Sequence, residues 1–445
     1  MSSYRLAMQI VWILMTFLMF ALVGRAQSIE TLHSFTATTD GSTPTACALV
    51  KGVDGNFYGT TQSGGLTGGG TVFKISLEGV FSVVANFTGP QGAAALAGLT
   101  LGTDGHLYGT TYLGGANGKG TVFRVTTDGV LTNLHSFDTI TGKFPYAPLM
   151  QAADGIFYGS TSGGGALDGG TLFQITTNGT LTTLFSFDYG DQGGEPCAGL
   201  IQLPSGIMYG ITVAGGVNGA GTVFQLTTNG ILTTLASFGS TNSFPFSRLV
   251  QDEDGNFYGT TSSGGIGHKG TVFKMTPLGT LTTLASFDGM NGSKSYAGLI
   301  RGNDGQFYGT TYQGGLNNLG TIFQISKSGE LNRLLSFNGA NGAKSDSELV
   351  LGDDGNLYGV TNDGGTNNDG TVFRVVLPTL LSIARSGDEL VLSWPTNATG
   401  FTLQLTTNLN GTNWADSAQV PAIVNGSHKV TNVLSGTAKY FRLKK

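Results

Sequence analysis

The sequence predicts an all-β protein, a seven-bladed β-propeller closed by an N-terminal clasp strand and followed by a small β-sandwich. Three observations carry that expectation. The string DGNFYGTT at residues 54–61 returns six more times, with its tyrosine at Tyr58, Tyr108, Tyr158, Tyr209, Tyr258, Tyr308 and Tyr358, a spacing of 49 to 51 residues. So regular a period marks one supersecondary unit copied in tandem, each copy unable to bury its apolar face without its neighbours. Each full copy offers four short runs rich in Val, Thr, Tyr and Phe, broken by glycine, which leaves no stretch of helical periodicity. Finally, the outer run is missing from the last copy and present ahead of the first.

The chain opens as a secretion signal. Arg5 precedes an apolar run from Ala7 to Val23, and Gly24-Arg25-Ala26 places small residues where a signal peptidase acts. The run is short for a membrane span, so cleavage after Ala26 is expected rather than anchoring. The mature chain is expected to be secreted, periplasmic or held at the cell surface, with no stable membrane insertion.

Residues 27–377 hold the propeller. In the second copy the strands, named A to D from the inside out, are AGLTLG near Leu99, HLYGTTY, TVFRVT and VLTNLHSF ending at Phe137. The turns Asp104-Gly105 and Asp128-Gly129 between them predict type I′ hairpins, in which both central residues take positive φ. Four antiparallel strands in a unit of this length is the cue for a propeller blade. The A, B and C motifs occur seven times after the N-terminus, but TVFRVV at 371–376 runs into Leu377-Pro378 with no D strand behind it. IETLHSF at 29–35 matches LTNLHSF at 131–137 and is expected to supply that strand, removing an open edge.

From Pro378 the period ends. ELVLSWP, FTLQLTTNL and KYFRLKK predict five or six strands of a separate sandwich over 378–445, with Trp394 and Trp414 as core aromatics. These segments resemble the fibronectin-type-III-like modules at the ends of many secreted bacterial proteins. The string DGNFYGTT, GG, GTVF, LTTL, SF resembles the GloVer tandem repeat of secreted bacterial proteins over residues 29–376. That resemblance implies an extracellular repeat with C-terminal appendages, and it implies no particular activity. The fourth copy departs from the pattern with Pro204-Ser205-Gly206 at the lower turn and Ile211 after YG, so its turn is expected to differ.

Charge and composition narrow the function. Without residues 1–26 the chain keeps 20 basic against 27 acidic side chains, so no basic stripe invites nucleic acid or anionic lipid. Cys47 and Cys197 fall in the first and fourth copies, across the ring from each other, and are expected to be unbonded. His33, His106, His135, His268 and His428 are dispersed, so no metal site or cofactor is expected. The pattern Gly265-Ile266-Gly267-His268-Lys269-Gly270 mimics a dinucleotide fingerprint but precedes a strand, where a phosphate meets no helix N-terminus. The turn aspartates (Asp54, Asp104, Asp154, Asp254, Asp304, Asp354) recur in step with the turns and are read as structural.

Specificity is expected where the copies differ. The B–C and D–A links are long, vary in every copy and fall on one face of the disc. Near the A strands stand Tyr146, Phe246 and Tyr296 with Arg248, Asp346 and Glu348, and the adjoining loops add Tyr112 and Tyr312. Phe144, Tyr189 and Phe244 lie close by in sequence. Aromatics beside a few charges suit a carbohydrate or peptide ligand on a monomeric binding module. Two alternatives stay open. One is a propeller enzyme, a polysaccharide lyase or glycosidase, drawing its acid and base from Asp346, Glu348, Asp188, Asp191 or Glu195. The other is a purely structural surface protein.

Overall fold

A computed structural model of the protein describes residues 27–45, 48–377, 381–386, 389–395, 401–407, 413–424, 427–433 and 439–444. The expected signal segment, Ala46 and Cys47 lie outside them. The described chain forms two compact units, one of residues 29–351 with 357–375, the other gathering 352–356 and the residues from Val376 onward. Among the described residues no helix is long and apolar enough to cross a membrane. The one helical turn there is the 3-10 segment Ile266–His268, which leads into the strand Thr271–Met275 as a loop does.

The first unit is all-β and propeller-like, with seven four-stranded antiparallel sheets among the described residues. Six of them follow sequence order, A to D; in the second copy these are Thr100–Leu101, Leu107–Thr111, Thr121–Val125 and Leu131–Ser136. The seventh joins Val350–Leu351, Leu357–Thr361 and Thr371–Val376 to the N-terminal strand Ser28–Ser34. The expected clasp pairing is therefore present. Glu30 and Arg374 add an ion pair across it, and Phe35 N donates to Gly370 O at 3.1 Å.

Aromatic residues weld neighbouring sheets. Each phenylalanine that ends a D strand packs against the C-strand phenylalanine of the next copy, as in Phe87–Phe123 at 5.0 Å and Phe337–Phe373 at 5.3 Å between ring centroids. The same contact joins Phe35 to Phe73 at 5.2 Å, and Tyr358 of the last copy lies 4.7 Å from Phe57 of the first. The repeated aromatics are thus core, all essentially buried.

The hairpins correct one expectation. In the A–B turn of the second copy Gly105 N donates to Gly102 O at 2.9 Å and Gly102 N to His106 O at 2.8 Å. Only Gly105 takes a positive φ, 81°; Asp104 does not. This is a three-residue loop, a type I turn closed by a left-handed glycine, rather than type I′. Asp104 is present for its side chain, which accepts the His106 N–H at 3.1 Å and the Tyr108 hydroxyl at 2.7 Å. The fourth copy corrects another. Gly206 N donates to Leu203 O at 2.8 Å with φ of 85°, so Pro204-Ser205-Gly206 makes the same turn and loses only the tyrosine clasp.

In the second unit the sheets Ser382–Ser386, Glu389–Pro395, Ser427–Val433, Ala422–Val424 and Ala415–Asp416, Thr402–Thr406, Tyr440–Lys444 share a core of Leu392, Trp394, Leu403 and Val430. Trp394 is buried there as expected. Trp414 is not in that core; it is half-buried, with the Arg442 guanidinium 4.3 Å over its ring.

Candidate functional site

The sheets bring the two variable links of each copy together. A short bridge ties the D–A link to the B–C link at Ser42–Ser63, Ala93–Leu113, Lys143–Gly163, Gly194–Ala214, Ser243–Ser263, Ser293–Gln313 and Ala343–Asp363. The residue after each bridge is left-handed in all seven copies: Thr43, Ala94, Phe144, Glu195, Phe244, Lys294 and Lys344, with φ between 53° and 60°. The fold dictates that backbone but leaves the side chain free, since Ala94 satisfies it as well as Phe144 does. Bulky residues in this region cost roughly 1–2 kcal/mol, so an aromatic there is retained for something other than the turn.

The structure divides the sequence-predicted residues between two cavities. Tyr146, Phe246, Tyr296, Arg248, Asp346 and Glu348 line a small cavity of about 60 Å³ where the chain leads into the A strands. Arg248 and Glu348 form an ion pair over Gly298 of the intervening copy, where a Cβ would come 3.0 Å from the Glu348 carboxylate. Phe246 meets Tyr296 edge to face at 5.3 Å, and Tyr296 meets Tyr312 at 5.6 Å. Asp346 is buried and accepts from Asn362 Nδ2 at 3.0 Å. Burial, and then the Asp346 charge, pushes the Tyr146 phenol above its usual range. A space of this size holds one or two waters and no organic ligand.

Tyr112 lines instead a cleft of about 390 Å³ between the links of the second, third and fourth copies, and Tyr146 lines both spaces. Tyr112 stacks on Phe144 at 4.9 Å and 22°, and Tyr146 meets Tyr112 edge-on at 6.4 Å. Opposite them Tyr189 donates its hydroxyl to Glu195 at 3.1 Å. Lys143 bridges to Asp168 at 2.7 Å. The Cys197 thiol is free, lines both cavities and is pushed up to about 12, first by burial and then by Glu195. Sequence reasoning did not single out Lys143, Ser162, Gly163 or Asp168 as walls of this space. Their signal is positional, visible only when the copies are set in register.

Of the five candidate acid–base carboxyls, Asp346 and Glu348 both line the small cavity, and only Glu195 lines the larger cleft. Glu348 is taken up by Arg248, Glu195 is held by Tyr189, and Asp188 accepts Gly190 N at 2.8 Å on an exposed loop where Asp191 also lies. No two of them line the larger cleft. Among the described residues no group of three or more His, Cys, Asp or Glu is placed to hold a metal ion.

The profile of the Gloeobacter/Verrucomicrobia repeat family matches residues 18–218 and 200–416, most of the chain. The chain belongs to this family. The matched Gloeobacter/Verrucomicrobia repeat region reaches past both ends of the 29–376 span legible by eye. No curated protein matches the chain. Among solved structures it is similar to the extracellular domains of two hybrid two-component systems of B. thetaiotaomicron. The first has TM-score 0.53 and 12% identity over 85% of this chain and 42% of that one. The second has TM-score 0.50 and 11% identity over 91% and 53%. The repeat protein therefore spans about half or less of either, and the likeness is one of fold.

Proposed function

We propose that the repeats close as a seven-bladed β-propeller that serves as an extracellular binding module, holding a carbohydrate or peptide where the B–C and D–A links gather. One observation carries this reading. The repeated residues are consumed in packing, whereas the 390 Å³ cleft is walled by residues at positions that vary from copy to copy. Its volume lies in the range of small-ligand sites, about 300–1,000 Å³. Ring closure is supported by the Phe35–Phe73 and Tyr358–Phe57 contacts and by the N-terminal strand in the last sheet. Export is supported by the composition of residues 1–26, and both structural neighbours are extracellular domains. The domain division that goes with this is a signal peptide over 1–26, the propeller over 27–377 and a fibronectin-III-like module over 378–445. Screening the purified protein on glycan and peptide arrays tests the reading. Binding that disappears on Tyr112→Ala supports it; silence on both arrays overturns it.

A further inference from the structure

Setting the seven copies in register shows that the cleft is made by departures from the repeat. The D–A link of the fourth copy is one residue longer than those of copies two, three, six and seven. Gly190 O accepts from Gly216 N and Gly193 N, as Gly89 O does from Gly115 N and Gly92 N, while Tyr189 N donates to Gly193 O as Gly89 N does to Gly92 O, so the extra residue falls within Tyr189-Gly190 and splits one glycine's role between two residues. Tyr189 is half-exposed and held at φ 65°. Its ring lies over Gly194, where a Cβ would come within 2.5 Å of Tyr189 Cδ1. The other copies carry Ser42, Ala93, Lys143, Ser243, Ser293 and Ala343 at that bridge position, so glycine occurs there once, under the Tyr189 ring. The partner position repeats the logic. Gly163 stands where other copies have Ser63, Leu113, Ala214, Ser263, Gln313 and Asp363, and a Cβ there would meet Lys143 Cε at 2.8 Å. Neither glycine has a positive φ, so space and not backbone freedom explains both.

We infer that this cleft is a binding site for an uncharged pyranoside, an inference that rests on the binding-module reading above. The Tyr112–Phe144 stack and the Tyr189 ring offer flat aromatic faces to the C–H face of a sugar. Glu195, Asp168, Lys143 and Ser162 supply acceptors and donors for its hydroxyls. A peptide is served badly here. The lining holds no Leu, Ile, Val or Met to receive an apolar anchor. The N–H groups of Lys143, Phe144, Ser162, Gly163, Tyr189 and Glu195 are all spent on backbone carbonyls, which leaves no free edge for an added strand. An acidic sugar fares no better, because Lys143 is already paired with Asp168 and Glu195 leaves the site net negative.

Calorimetric titration of the full-length protein with cellotetraose, xylotetraose, mannotetraose and tetragalacturonate tests this, with a proline-rich peptide as the rival ligand. At least one neutral tetrasaccharide binds, and tetragalacturonate does not. Gly194→Ala and Tyr112→Ala each weaken that binding tenfold or more. Gly194→Ala leaves the melting temperature within about 2 °C, because Ala93 and Ala343 occupy the same position elsewhere. Phe244→Ala, a left-handed aromatic outside the cleft, changes the affinity less than threefold. Saccharide binding that survives Gly194→Ala but is lost on Phe246→Ala moves the ligand to the surface around Phe246 and overturns the inference while sparing the binding module. Binding of the peptide or of tetragalacturonate alone does the same. Failure of every ligand defeats both.

Discussion

Asp104 shows how one side chain serves the turn. Burial opposes its charge, but the Tyr108 hydroxyl and the His106 N–H outweigh that and hold the carboxyl below its usual range. Asp54 and Asp254 are lowered in the same way, with Asn56 and Asn256 as donors. A carboxylate whose folded pKa is depressed adds stability that is complete above its unfolded value, about 3.9, and is lost as pH falls through the folded value. Urea midpoints should therefore hold from pH 7 to about 5 and fall steeply below pH 4, and Asp104→Asn should flatten that fall. An unchanged acid limb in the variant would count against the clasp. The aspartates were legible in the sequence as turn residues, but the turn type was not. Asp-Gly fits a two-residue and a three-residue loop equally well, and with A strands of two residues the alternation is too short to fix the register.

Elements are stitched by hydroxyls as well as rings. The B-strand hydroxyl of one copy donates to a carbonyl three residues ahead of the next copy's A strand, as in Thr110 to Ala147 O at 3.3 Å, Thr260 to Ala297 O at 2.9 Å and Thr310 to Ser347 O at 2.9 Å. Ile211 and Val360 stand at this position in the fourth and seventh copies and pack into apolar clusters instead. The departure at Ile211 thus exchanges a hydrogen bond for burial and leaves the blade intact. Thr110→Val should cost about 1–3 kcal/mol in urea unfolding, since the Ala147 carbonyl is left buried without its donor. The N-terminal strand is the most exposed test of element pairing. Phe35 is fully buried against Phe73 and Phe81, so Phe35→Ala should destabilise by about 3–5 kcal/mol, as much as a phenylalanine at the heart of a core. That strand was legible because D strands could be counted, and a count needs no coordinates.

At the scale of the molecule, architecture was written in what repeats and the candidate site in what does not. The repeat period and its aromatics announce stacked four-stranded sheets, since each invariant residue has the same neighbour in every copy. The variable residues carry no such redundancy. Tyr112, Phe246 and Tyr296 read alike in sequence, and only their packing separates a small cavity from an open cleft. The traces that could have separated them are slight: a spacing of 51 residues at the fourth copy and two glycines at positions where the other copies hold side chains. The whole account depends on the chain's beginning completing its last sheet. Hydrogen–deuterium exchange of the intact protein tests this most directly, by comparing a peptide covering residues 29–35 with its internal counterpart at 131–137. The account predicts equal slow exchange in the two, together with faster exchange of 371–376 in a chain that begins at Thr36. Rapid exchange of 29–35 in the intact protein would contradict it.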